Sequence, residues 1–164
     1  MNAEAKNNIE ARLQHLEDLE AIRRLKGLYC QCVDGGWDRK THDGDAFVLL
    51  FTADASVEFV RDPRLGPPSR AEGREAIRSM INAAQVASYA AHNMCGELID
   101  IDGDNAHATW HAMNFLTWPA LTYVGTFIYH EDYVRTPQGW RIKNLRAVCR
   151  GIHPLENGQS ISGR

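Results

Sequence analysis

The chain has no apolar run that could span a bilayer. Its longest, such as Phe47 to Phe51, falls far short of the ~20 residues a membrane helix needs, so no membrane partner is expected. The opening residues, MNAEAKNNIEAR, lack the basic start and apolar stretch of a secretory leader. The sequence has only four cysteines, and they follow no secreted disulfide framework. Cys30 and Cys32 stand on different faces of a predicted helix, and Cys95 and Cys149 fall in predicted strands, so a reduced, cytoplasmic protein is expected. Positive charge is not in excess: 18 Lys+Arg against 21 Asp+Glu leave a net charge of -3, which argues against a nucleic-acid partner. Several chemistries lack their motifs. No HExxH or His/Cys cluster has zinc spacing, no GxGxxG or GxxxxGK[ST] loop cradles a nucleotide, and no GxSxG elbow presents a nucleophile. Acid–base chemistry by side chains alone remains, or binding without chemistry. Neither needs a metal or an organic cofactor, and none is expected.

What is present describes one soluble domain. The 164 residues suffice for one sizeable core, and 44% apolar with 24% charged residues is ordinary globular composition. Ile22, Leu25, Tyr29, Cys32 and Val33 recur at helical spacing and form one apolar stripe. Leu13 and Leu16 carry that helix back to near residue 8, and Gly35-Gly36 end it. A short helix is predicted over Asp45 to Thr52 and a strand over Ala55 to Val60. Arg61 to Glu72 holds three prolines and reads as a loop. Arg74 to Gln85 returns to helical spacing through Ile77, Met80, Ile81 and Ala84. From residue 89 the period becomes two. Asp102-Gly103 reads as a hairpin turn, Ala106 to Trp118 and Leu121 to Arg135 as long strands, and Trp140 to Cys149 as the last. Helices first and antiparallel strands afterwards predict an α+β fold. A curved sheet wrapped over those helices would enclose a pocket.

Three residues are candidates for chemistry. Asp34 ends the first helix, where the macrodipole disfavours a carboxylate; it is either a solvated turn residue or one held there for a purpose. Tyr29 lies on the buried stripe, as a core tyrosine or as a phenol facing a pocket. His92 opens a strand on the face predicted for Met94 and Leu98, as a hydrogen-bonded interior histidine or as a general base. His111 and His130 are weaker versions of that case. His15, His42 and His153 fall in polar helical, loop or tail surroundings and suggest no role. Trp110, Phe115, Tyr123, Phe127 and Tyr129 suit either a core or the wall of a site for a ring-containing ligand.

The segments LEDLEAIRRLKGLYCQCVDGGWD, FVLLFTADASVEF, EGREAIRSMI, AHNMCGELIDIDGDNAHATW and YHEDYVRTPQGWRIKNLR, in that order and spacing, resemble the SnoaL-like branch of the cone-shaped α+β superfamily named after a nuclear transport factor. The likeness runs over about residues 16 to 150. It implies an N-terminal extension over 1–15, one cone domain over 16–152 and a tail over 153–164. It also implies N-terminal helices in the mouth of a curved, mostly antiparallel sheet. The finer likeness is to the dehydratase and dehydrochlorinase group, whose helix-ending aspartate and strand-opening histidine fall at Asp34 and His92. A tyrosine at the position of Tyr29 leans toward the dehydratases. The resemblance also implies substrate-binding positions at Arg146 and His111, and Trp110 completes the expected set.

The activity so implied is a cofactor-independent lyase, of dehydratase or dehydrohalogenase type, acting on a hydrophobic cyclic small molecule. His92 and Asp34 would form a general-base dyad, with a carboxylate oxygen within ~3.2 Å of an imidazole nitrogen, and Tyr29 would donate to the departing group or developing oxyanion. An isomerase or cyclase of the ketosteroid isomerase or polyketide cyclase type, and a non-catalytic binding module, are the alternatives, because fold alone decides no reaction. A homo-oligomer, trimer or dimer, is expected from large residues such as Trp110 and Tyr123 placed on the outer sheet face.

Overall fold

The stripe from Ile22 to Val33 becomes the inner face of helix α1 (Ala3–Val33), and all five of its residues are buried. The computed structural model describes residues 3–155. The tail expected over 153–164 lies outside the described residues from 156 onward, as do Met1 and Asn2 of the expected extension. Helix α1 begins earlier than its apolar residues indicate, and Ile9, Leu13 and Leu16 on its first half are exposed.

Helix α2 (Gly44–Val48) is shorter than the period suggests. The side chain of Asp43 caps it by accepting from the Ala46 amide at 3.0 Å. At its other end Ile142 donates to the Leu50 carbonyl, so pairing with the sheet draws the chain out of helix and into strand β1 (Phe51–Val60). The proline-rich segment is not all loop. After Pro68 the chain is free to donate again, and β2 (Ser69–Glu72) pairs antiparallel with β1. Helix α3 (Arg74–Ala83) buries Ile77 and Ile81. Four long strands follow: β3 (Tyr89–Asp102), β4 (Asn105–Trp118), β5 (Leu121–Thr136) and β6 (Gly139–Pro154).

The six strands form one curved, unclosed sheet in the order β2-β1-β6-β5-β4-β3. Only β1 and β6 run parallel, and every other pair is antiparallel. No helix among the described residues is long and apolar enough to cross a membrane.

The inner face carries Trp110, Ala112, Asn114 and Leu116 of β4 beside Tyr123, Phe127, Tyr129, Glu131 and Tyr133 of β5. Trp110 and Tyr123 are therefore buried on the inner face and not on the outer one. The expectation for Leu98 also changes. The β3–β4 register shifts between Cys95 and Leu98, at Gly96 with φ +56°, so His92 and Met94 face inward while Leu98 faces out and is 71% exposed.

Two charged clusters fasten α1 to this sheet. Arg135 grips Asp18 through both guanidinium nitrogens at 2.6 Å, and the Trp140 indole donates to the same carboxylate at 3.1 Å. These donors hold the Asp18 carboxyl down to about 2. Deeper in, Lys26 donates to Glu131 at 2.5 Å with both side chains out of solvent. Glu131 also accepts from the Tyr133 hydroxyl, which in turn accepts from the Trp110 indole. The Lys26 ammonium lies 4.1 Å from the ring centroids of both Tyr29 and Tyr129. Burial lowers the Lys26 pKa, and the Glu131 charge opposes that shift.

Removing one partner of a buried ion pair strands the other charge, typically at a cost of about 3–5 kcal/mol. Lys26→Met should lose about that much in urea unfolding. Lys26→Met combined with Glu131→Gln should recover a large part of it.

Candidate functional site

Helix α1 ends where the candidate site begins. Gly35 exchanges two backbone hydrogen bonds with Ala90, each 3.0 Å, and this bridge pins the helix end to the start of β3. A side chain at Gly35 would meet the Lys40 carbonyl oxygen at 2.7 Å, so only glycine lets the returning loop pass so closely. The adjacent Asp34 is thereby set against His92. Its Oδ1 accepts the His92 backbone N–H at 2.9 Å and the imidazole Nδ1 at 2.7 Å. These two donors offset the unfavourable end of the helix dipole.

A carboxylate can only accept, so Nδ1 carries the proton and Nε2 keeps its lone pair. The His92 side chain is 8% exposed and lines a cavity of about 310 Å³ between the helices and the concave sheet. Asp34 is not among the lining residues. It stands behind His92, bonded to its amide and its ring.

The walls are mostly apolar. Val33, Phe59, Met80, Leu116, Trp118 and Phe127 contribute, with Arg61 and Arg64 among the remaining lining residues. Arg64 is committed to Asp62 at 2.9 Å and 3.0 Å, which leaves Asp62 ionised to about 2. Tyr29 lines the same cavity, with its ring edge-on to His92 at 6.3 Å between centroids. Its hydroxyl is hydrogen-bonded to Tyr129, and Tyr129 accepts from Asn114 Nδ2 at 3.2 Å. Burial pushes the Tyr29 phenol well above its usual range, so it remains a protonated donor.

The structure brings Asp34, His92 and Tyr29 together and leaves the three expected substrate-binding residues elsewhere. Trp110 faces inward behind the site, with its indole on Tyr133. His111 is exposed on the outer sheet face, since it alternates with the buried Trp110 and Ala112. Arg146 is also exposed and pairs with Glu58 at 2.9 Å. None of the three lines the cavity.

Two lining residues carry no signal strong enough to single them out beforehand. Asn114 interrupts an inward row of Trp110, Ala112 and Leu116, and that break in an apolar alternation was the available clue. His42 sits in the loop after α1 with φ +58°, and nothing in its sequence neighbours indicates burial. It is nonetheless buried, 6.5 Å from the His92 ring and 6.1 Å from Trp118 between centroids. Burial lowers its pKa from 6.5 to about 4, helped by His92 and opposed by Asp34. Among the described residues no group of three or more His, Cys, Asp or Glu side chains could hold a metal ion.

The family profile of the SnoaL-like domain matches residues 14–146. The chain belongs to that family. It is similar to an NTF2-like protein with a cystatin-like fold from Novosphingobium aromaticivorans, at 26% identity and a TM-score of 0.69, covering 94% of this chain and 92% of that one. It also resembles the type 3 hexachlorocyclohexane dehydrochlorinase of Novosphingobium barchaimii, at 15% identity and a TM-score of 0.75, over 93% and 99% of the two chains. A type 2 dehydrochlorinase gives 14% identity and a TM-score of 0.72, over 89% and 94%. At such identities these two likenesses show the fold alone. No curated protein matches significantly.

The His42 shift has a consequence for pH. Because the folded protein keeps this imidazole neutral, its contribution to stability is complete above pH 6.5 and is lost as pH falls from there toward 4. The loss across that window should be about 3 kcal/mol. His42→Asn, which tolerates the left-handed backbone and does not titrate, should flatten the decline in urea unfolding followed between pH 7 and pH 4.

Proposed function

We propose that the chain is a cofactor-independent lyase that uses His92 as general base and Asp34 as its positioning partner on a hydrophobic cyclic small molecule. The observation that carries this reading is the 2.7 Å contact between Asp34 Oδ1 and His92 Nδ1 at the edge of an apolar cavity. A neutral imidazole so held carries its proton on Nδ1 and turns the Nε2 lone pair toward the cavity, with a carboxylate fixed behind it.

In the step proposed, His92 Nε2 takes a proton from the carbon next to the one bearing the leaving group. The electrons of that C–H bond become the new double bond, and the bond to the leaving group breaks. A departing hydroxyl takes the proton back from the imidazolium and leaves as water. A departing chloride needs no proton, and His92 then releases its own to solvent. Tyr29 holds an oxygen of the substrate. Its buried phenol is too costly to ionise for full proton transfer, so it orients and stabilises.

The Asp34–His92 contact at the cavity supports this reading over a pocket without chemistry. Assembly as a homo-oligomer is proposed with it. Leu98, Met113 and Phe115 on the outer sheet face are 71%, 47% and 39% exposed, a surface suited to a second copy. Light scattering at micromolar concentration should give a dimer or trimer, and a monomer would count against it.

Cyclic β-hydroxy ketones of one or two rings, followed by the ultraviolet absorbance of the enone they form, provide the assay. His92→Ala should lose about 10²–10⁴-fold in rate, as expected for removal of a positioned base. Asp34→Asn should also be severely impaired with its fold intact, and Tyr29→Phe should lose about tenfold or less. Full turnover by His92→Ala would refute the base mechanism.

A further inference from the structure

Two buried polar atoms beside His92 have no hydrogen-bond partner: Asn114 Oδ1 and His42 Nδ1. Both residues line the cavity, and they are 1% and 6% exposed. Such atoms are rare in folded proteins, because burying one without a partner forfeits its bonds to water. Their placement relative to His92 is specific. Asn114 is the cross-strand partner of His92 on β4, and the His42 ring lies nearly perpendicular to the His92 ring.

The Asn114 orphan is not a matter of side-chain orientation. The Asn114 amide has one end on the Tyr129 hydroxyl, and turning it over would only exchange which end is left free. His42 is held from both sides of its backbone. Its N–H donates to the Val33 carbonyl at 3.3 Å, and its carbonyl accepts from the Gln85 amide at 3.0 Å. A non-glycine residue fixed in the left-handed region, buried and unpaired beside a dyad, marks strain kept at a working position.

We propose that His42 and Asn114 form an oxygen-recognition subsite, so that the ligand is a ring compound bearing a hydroxyl or keto oxygen and not a purely halogenated hydrocarbon. A hydroxyl can donate to one free group while accepting from the other, whereas carbon-bound chlorine can do neither well. The subsite thus separates the two leaving-group chemistries that the dyad alone leaves equivalent. This inference rests on reading the cavity as the substrate site, but it requires no turnover. Sites built to hydrogen-bond a ligand oxygen reject analogues without it, because their own polar groups then remain unpaired.

The test uses the full chain and three probes of matched shape: naphthalene, 2-chloronaphthalene and 2-naphthol. Calorimetric titration should show 2-naphthol binding at least tenfold more tightly than either of the others, about 1.4 kcal/mol. That preference should shrink to threefold or less in Asn114→Leu and in His42→Asn. Equal affinities, a preference for the chlorinated or bare ring, or no binding by any probe to the wild-type chain would overturn the inference, without reliance on a variant that folds poorly. Loss of the oxygen preference together with His92-dependent turnover would reject this subsite alone. A kept preference together with full turnover by His92→Ala would reject the base mechanism alone.

Discussion

Two hydrogen bonds between Gly35 and Ala90 decide where everything else in the site can be. They join the end of α1 to the first turnward residues of β3, and they place Asp34 one step before the junction and His92 two steps after it. Without them the helix would still bury its stripe, but its end would be tied to β3 through the Asp34 side chain and no longer through the backbone. The loop from Gly35 to Asp43 then doubles back on the same helix end, where the Asp43 amide donates to the Cys32 carbonyl at 2.7 Å and that of His42 donates to Val33. One helix terminus thereby supplies the carboxylate, satisfies its own last carbonyls and carries the second histidine into the cavity.

The cavity floor depends on a different kind of constraint. Lys26, one turn before Tyr29, places its ammonium against the Tyr29 and Tyr129 rings and anchors on Glu131. The two phenols are held from below by a cation and from the side by Asn114 and each other. A pocket wall so fixed keeps its hydroxyls in one arrangement, which is what recognition of a single ligand orientation requires. The same burial that raises the pKa of both phenols keeps them protonated, as donors beside the imidazole.

Much of this was legible in the sequence where a period meets a burial demand. The inner stripe of α1, the α3 face and the alternation of β4 and β5 all follow from spacing, and the α+β class follows from their order. The ends of elements were less legible, because α2 stops and β1 starts through a hydrogen bond from Ile142, far away in the chain. At the site, Asp34, His92 and the contact between them were expected from the family resemblance, and the structure adds the second bond, from the His92 amide to the same carboxylate oxygen. His42 was not visible, since loop burial depends on how the segment folds back. Lys26 and Glu131 look like ordinary surface charges until each is seen to occupy an inward position opposite the other. Arg146 and His111 were expected near the ligand from the family resemblance and Trp110 from its ring, but strand parity sends His111 and Arg146 outward, and depth puts Trp110 behind the phenols.

The bulge at Gly96 makes parity itself a structural quantity. Ile99 comes an odd number of positions after His92, yet both face inward, because the extra residue resets the alternation between Cys95 and Leu98. Upstream of that point the strand belongs to the cavity; downstream it belongs to the core under α1, where Glu97 reaches Arg23 at 3.1 Å. The count of residues across this joint therefore carries information that no single residue does. A relative one residue shorter here would have to turn outward either its histidine or the apolar half of the strand, however similar its side chains.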